Sequence, residues 1–321
     1  MVTCYNYGRF LADCLNSIAV QKGFDFEVVL VDDGSTDNTQ EVARHFSGLP
    51  LRVITHRNNL GIVATFNEGL QEAKGAYVAR IDADDRYRPY FLAETLGIFK
   101  RFPSVDLVYG DIAAMNAGGE IISDPWPGIR SREANGGKDF RGCEYLPLIE
   151  DDFIPAATII ARREVWMQAL PIPEWFTFST VSDWYLNLRM ARSHEFYYIA
   201  RALADYRLHS ENLHRKAKDG ESLEKTVLRV LSQFFSEEDP WMKEKLRMRR
   251  RVYASAYRNF INAYSGMRRG GDCWRCFFEM LSYRPDYAFQ AKPLKRLLAT
   301  LLGWDRYERL AHSYRSILGR R

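Results

Sequence analysis

The sequence predicts an α/β fold: a mixed, mostly parallel sheet flanked by helices, followed by a helical extension. Two observations carry this expectation. Over the first half of the chain, short apolar runs rich in β-branched residues alternate with segments whose apolar residues recur at helical spacing, as in a parallel sheet crossed by helices. Beyond Arg215 only helical periodicity remains, broken at Asp239-Pro240, Gly270-Gly271, Pro285 and Gly303. The expected organisation is an α/β domain over residues 1–215 and a basic helical extension over 216–321.

Taken in order, residues 26–31 form an apolar strand, and Asp32, Asp33, Gly34 and Ser35 turn the chain into a helix ending near Phe46. Residues 51–55 repeat the strand pattern. A helix through Ala64, Phe66, Leu70 and Ala73 stops at Gly75, a strand covers 76–82, and Pro89 opens a helix carried by Phe91, Leu92, Leu96 and Phe99. Another strand begins at 107–109. Residues 115–153 read as loop, punctuated by Gly118-Gly119, Pro125, Pro127 and Gly136-Gly137. Regular structure resumes with strand-like 157–161, helices over 164–169 and 183–191, and β-like runs at 196–199 and 202–208.

The 321 residues, 46% hydrophobic and 27% charged, suffice for one large core and a smaller unit, which excludes a disordered chain. Five scattered cysteines and the lack of a secretory leader predict a reducing, cytoplasmic compartment. No apolar run approaches the roughly 20 residues of a membrane-spanning helix. The Cys273-Trp274-Arg275-Cys276 run has no second Cys or His pair at zinc-site distance and lies in a helical pattern, so it reads as core packing. Charge is uneven: residues 241–321 hold 19 Lys/Arg against 6 Asp/Glu, the preceding 240 residues 26 against 35. Arg247, Arg249, Arg250, Arg251, Arg268 and Arg269 sit among Trp241, Tyr253, Tyr257 and Phe260, and 293–304 adds leucines beside cations. That pattern suits the inner face of an anionic membrane surface, contacted peripherally.

Chemistry concentrates in three acidic groups, each after a strand or at a helix start. In open α/β sheets ligands bind beyond the carboxyl ends of the strands. Val31-Asp32-Asp33-Gly34-Ser35 offers a carboxylate to a base imide or ribose hydroxyl. Arg80-Ile81-Asp82-Ala83-Asp84-Asp85 places three carboxylates within four residues, whose mutual repulsion a divalent cation such as Mg²⁺ or Mn²⁺ relieves. Val181-Ser182-Asp183-Trp184 follows the aromatic run Trp175, Phe176, Thr177, Phe178, where a carboxylate of raised pKa suits a general base. An acidic crevice argues against nucleic acid as a partner, and the missing G-x-G-x-x-G argues against a dinucleotide oxidoreductase.

Taken jointly, Thr3-Cys4-Tyr5-Asn6-Tyr7, Gln21, Val31-Asp32-Asp33-Gly34-Ser35-Thr36-Asp37 and Asp82-Ala83-Asp84-Asp85 resemble the inverting family-2 glycosyltransferases of GT-A fold, over about residues 1–212. The resemblance implies a base pocket lined by Thr3, Tyr5 and Asp33 and a D-x-D element in which Asp82 and Asp84 serve ribose and metal, with Asp85 a further ligand. It also implies Asp183 as catalytic base and, within Tyr206-Arg207-Leu208-His209, a histidine that reaches the metal or diphosphate. The implied cofactor is Mn²⁺ or Mg²⁺, the implied donor a nucleotide-diphosphate sugar, UDP-linked by the family's habit, and the acceptor a glycan or lipid-linked hydroxyl. The Q-x-x-R-W element of processive synthases is missing, which implies one sugar per acceptor.

Overall fold

Strand β1 (Val2–Cys4) and helix α1 (Gly8–Ala19) open the computed structural model, which describes residues 1–127, 131–176, 179–212, 220–307 and 309. β2 (Val28–Asp32) is buried along its whole length, as befits a strand covered on both faces. α2 (Thr39–Arg44), β3 (Leu51–Thr55) and α3 (Ile62–Glu72) follow. The expected strand at 76–82 is two strands, β4 (Tyr77–Ala79) and β5 (Ile81–Asp82), parted at Arg80.

The break matters because the two pieces enter different sheets. β5 joins a parallel sheet of order β3-β2-β1-β5. β4 joins a mixed sheet of order β4-β10-β7-β11-β6, with β6 (Arg86–Tyr87), β7 (Val105–Met115), β10 (Ile160–Arg162) and β11 (Glu195–Arg207). At its centre β7 and β11 run parallel, and β11 is one bulged strand where the sequence suggested two. Helix α4 (Phe91–Arg101) leads into β7.

The stretch read as loop holds short elements: β8 (Ile121–Ser123) paired with β7, α5 (Ser131–Ala134), β9 (Phe140–Gly142) paired with β11, and α6 (Tyr145–Glu150). Three to six residues are too few for periodicity to register. A 3₁₀ turn, Ala156–Thr158, precedes β10, and α7 (Arg163–Ala169) and α8 (Ser179–Ala191) complete the layer. The core unites β1, β2, α1, α4 and the central strands through Val2, Leu11, Leu15, Leu30, Phe91, Val108 and Leu203.

These elements form one compact unit, Met1–Lys216; Ala217–Arg321 forms a second. In the second, α9 (Gly220–Ser236), α10 (Met242–Gly266), α11 (Gly270–Tyr283) and α12 (Ala291–Leu302) surround Ala254, Tyr257, Ile261, Tyr264, Cys273, Cys276 and Met280. Both cysteines of the C-x-x-C run are thus core residues. Lys245 is wholly buried, and its Nζ donates to the carbonyls of Phe234 (2.6 Å) and Glu237 (2.7 Å) and to Asp239 Oδ2 (2.6 Å). It caps the end of α9, whose last carbonyls have no helical partner. Glu224 accepts from Tyr264 and from both terminal nitrogens of Arg275.

Candidate active site

Strand register decides which loops meet. Thr3 lies beside Asp82 and Cys4 beside Asp32, so the turns after β1, β2 and β5 open onto one crevice at the carboxyl edge of the parallel sheet. Thr3 Oγ1 donates to Asp82 Oδ1 at 2.5 Å. Asn6, held at φ 55°, ties the first two turns together: its N–H donates to Ser35 Oγ (2.8 Å), and its Oδ1 accepts from the Thr36 N–H (2.8 Å). Asp37 accepts from the Gly8 N–H (2.9 Å) at the start of α1 and from Thr39. Burial opposes its charge, but these donors hold its carboxyl below the usual range. Tyr5 projects beside this scaffold with its ring half exposed, free to lie against a base.

Asp33 does more than the sequence suggested. Its Oδ1 accepts from His56 Nδ1 (2.7 Å) and the Leu60 N–H (2.8 Å), its Oδ2 from the Gly61 N–H (2.9 Å). The buried carboxylate therefore organises loop 56–61. His56 Nε2 reaches Glu68 at 2.5 Å. Burial works against a charged imidazole, but the Asp33 and Glu68 hydrogen bonds outweigh it and raise the His56 pKa. Gln21, by contrast, serves as a pin: it donates to the Arg88 carbonyl (2.8 Å) and accepts from the Leu92 N–H (3.0 Å).

The second acidic group folds into a tight turn, the Asp85 N–H donating to the Asp82 carbonyl at 3.0 Å. One oxygen from each of Asp82, Asp84 and Asp85 lies within 4.8 Å of the others, the one cluster of potential metal ligands among the described residues. Burial, followed by repulsion from its neighbours, pushes Asp85 well above the usual carboxylate range. Burial also raises Asp84, against the hydrogen bond from His209. Three crowded hard-oxygen groups, short of compensating charge, fit Mg²⁺ or Mn²⁺.

The last strand closes the site. His209 Nε2 lies 2.9 Å from Asp84 Oδ2, while Nδ1 accepts from the Glu211 N–H at 3.2 Å. The ring packs against both Tyr7 and Phe10. Asn212 Oδ1 accepts from the His209 N–H.

Arg207, given no role by the sequence, is buried with its N–H on Asp85 Oδ1 (2.9 Å), Nε on the Asp84 carbonyl (2.7 Å) and Nη2 on Asp13 (2.5 Å). The signal was a cation inside an apolar strand, which must find partners.

Asp183 is the fifth residue of α8, a turn deeper than expected, and its side chain is 26% exposed. Thr177 and Phe178 of the preceding aromatic run lie outside the described residues. Asp183 joins the crevice through Arg80, whose Nη1 donates to Asp183 Oδ1 while Nη2 lies 3.2 Å from both oxygens of Asp82. Burial pushes the Asp183 carboxyl up; Arg80 pulls it down, and the net shift is upward. Six of the eight expected site residues are thus brought together: Thr3 and, through Arg80, Asp183 bond to Asp82, His209 bonds to Asp84, and Asp82, Asp84 and Asp85 share the carboxylate cluster.

Residues 1–139 match the family described as glycosyl transferase family 2. Over that part the chain is similar to the family. An uncharacterised glycosyltransferase of Nostoc sp. is 28% identical over 229 residues, 69% of this chain and 68% of the relative. A PGL/p-HBAD biosynthesis glycosyltransferase of Mycobacterium tuberculosis is 38% identical over 115 residues, 35% of this chain and less than half (45%) of that protein. Among solved structures, residues 1–349 of S. aureus TarS in complex with UDP-GlcNAc superpose with a TM-score of 0.60 at 18% identity, covering 94% of this chain and 90% of that one. The mannosyltransferase PcManGT of Pyrobaculum calidifontis, in complex with GDP-Man and Mn²⁺, gives 0.56 at 16% identity, covering 95% and 86%. The fold is accordingly GT-A: a parallel sheet flanked by helices, with a helical C-terminal part.

Proposed function

We propose that this glycosyltransferase moves one sugar from a nucleotide-diphosphate donor, a UDP-sugar first among them, to a hydroxyl acceptor on a glycan or lipid-linked glycan, with inversion. The observation that carries the reading is the acidic cluster at the carboxyl edge of the sheet, linked through one guanidinium to a partly buried carboxylate of raised pKa. Thr3, Tyr5 and Asp33 receive the nucleoside, Asp82 the ribose, and Asp84, Asp85 and His209 hold Mn²⁺ or Mg²⁺. The bound cation supplies charge neutralisation for the leaving diphosphate. Asp183 takes the proton of the acceptor hydroxyl as that oxygen bonds the anomeric carbon. The bond from that carbon to the diphosphate oxygen breaks on the opposite face, its electron pair leaving with the nucleoside diphosphate. The UDP-GlcNAc and GDP-Man named with the TarS and PcManGT structures support a nucleotide-sugar donor.

In this reading residues 1–215 carry the reaction and 216–321 form a basic extension. No helix among the described residues is long and apolar enough to cross a membrane. Leu294, Leu298, Leu301 and Leu302 of α12 are nonetheless exposed beside Lys295 and Arg296, which favours peripheral contact with an anionic bilayer at the cytoplasmic face. Incubating the chain and Mn²⁺ with UDP-GlcNAc, UDP-glucose or GDP-mannose, with lipid-linked glycan acceptors in anionic vesicles, tests the proposal. Product of inverted anomeric configuration is expected; retained configuration, or transfer unaffected by metal chelation, contradicts it.

A further inference from the structure

Arg80 stands where the chain leaves one sheet for the other. β4 ends at Ala79 on β10, and β5 begins at Ile81 on β1. Its side chain is buried, with the guanidinium 4.7 Å from the centre of the Phe66 ring and Nε without a hydrogen-bond partner. A cation taken out of water in this way is stable only when closely paired. Here the pair is divided: one nitrogen serves Asp183 on α8, the other serves Asp82 at the end of β5.

We propose that Arg80 is a positioning residue that fixes the base against the donor side of the site: its planar fork holds Asp183 Oδ1 at a set offset from Asp82, leaving Oδ2 as the proton acceptor. The inference rests on Asp183 being the base. Asp82 keeps a second holder in Thr3, so the donor half does not depend on Arg80 alone. Among the described residues, the cation paired with Asp183 is Arg80. A lysine keeps the charge but presents one ammonium, which lacks the two diverging donors and the flat face that Phe66 meets. Substitution by lysine therefore separates geometry from charge: a mere counter-ion is replaced by lysine without loss, a positioning fork is not.

The test is hydrolysis of UDP-GlcNAc and of GDP-mannose by the full chain with Mn²⁺, water serving as acceptor, read as nucleoside diphosphate release. Mn²⁺-dependent affinity for UDP and GDP is measured in parallel. Arg80→Lys is expected to slow release by about 10–100-fold, the usual cost of losing an orienting partner, while the nucleotide Kd stays within about twofold. In an Asp183→Asn background the same change is expected to cost no more than about twofold further, because it acts through a group already removed. Arg80→Gln, judged with its unfolding midpoint, takes over should the lysine variant not fold. Release by Arg80→Lys at the unmodified rate, or a full additional loss on top of Asp183→Asn, overturns the inference alone. Unmodified rates in Asp183→Asn, or no release by the unmodified chain, overturn the base assignment and the inference with it.

Discussion

Gly34 is where the fold and the proposed nucleotide pocket share one atom's worth of space. Its φ is +73°, and a Cβ added there would stand 2.7 Å from the Asn58 carbonyl carbon and 2.9 Å from the Asn59 nitrogen. Both neighbours are backbone, so neither yields as a side-chain tip would. For Gly34→Ala the left-handed conformation costs about 1–2 kcal/mol and the forced contact about 1–3 kcal/mol. Together they predict a destabilisation of about 2–5 kcal/mol. The displaced segment leads directly to Leu60 and Gly61, whose N–H groups donate to Asp33. Weakening one such bond costs about 1 kcal/mol, so nucleotide affinity should fall about five- to tenfold. Urea unfolding and calorimetric titration with UDP or GDP in Mn²⁺ read the two effects. A variant within about 1 kcal/mol of the unmodified protein, with unchanged affinity, refutes the reasoning.

Three further outcomes are expected. Lys245→Met removes the buried ammonium that binds the Phe234 and Glu237 carbonyls and the Asp239 carboxylate, and should cost about 3–5 kcal/mol in denaturant unfolding; a loss under about 1 kcal/mol refutes the capping role. His56, whose pKa is raised on folding, contributes stability that is full below its unfolded value near 6.5 and lost as pH climbs through the folded value. The stability gap between the unmodified protein and His56→Gln should therefore narrow from pH 6 to pH 9, and a widening gap contradicts the assignment. Asp183→Asn should lower turnover by about 10²–10⁴-fold with donor affinity kept; an equal loss in nucleotide affinity would move Asp183 to the donor half.

The alternation of strands and helices was readable because β2 and the helices α3 and α4 have long enough apolar patterns to register. What escaped was set by tertiary contact. The break at Arg80 depends on β10 pairing with β4 and β1 pairing with β5, strands remote in sequence. β8, β9, α5 and α6 are too short to show a period. Within the site, residue types pointed to the carboxylates but not to what they bind inside the protein. Asp33 is shared with loop 56–61, Arg207 serves the acidic groups from the last position of β11, and Arg80 does so from the break between β4 and β5. A charged residue in an apolar run was the available clue, but its partner is visible only once the sheets are assembled.

The proposed function requires the Asp82, Asp84, Asp85 cluster to hold a divalent cation that receives a nucleoside diphosphate. Titration of the full chain with UDP and GDP, with and without Mn²⁺, beside Asp84→Asn, tests it most directly. Binding of one nucleotide that requires Mn²⁺ and is lost in Asp84→Asn, while the variant stays folded, is expected. Equal binding with and without metal, or undiminished binding by the variant, would contradict it.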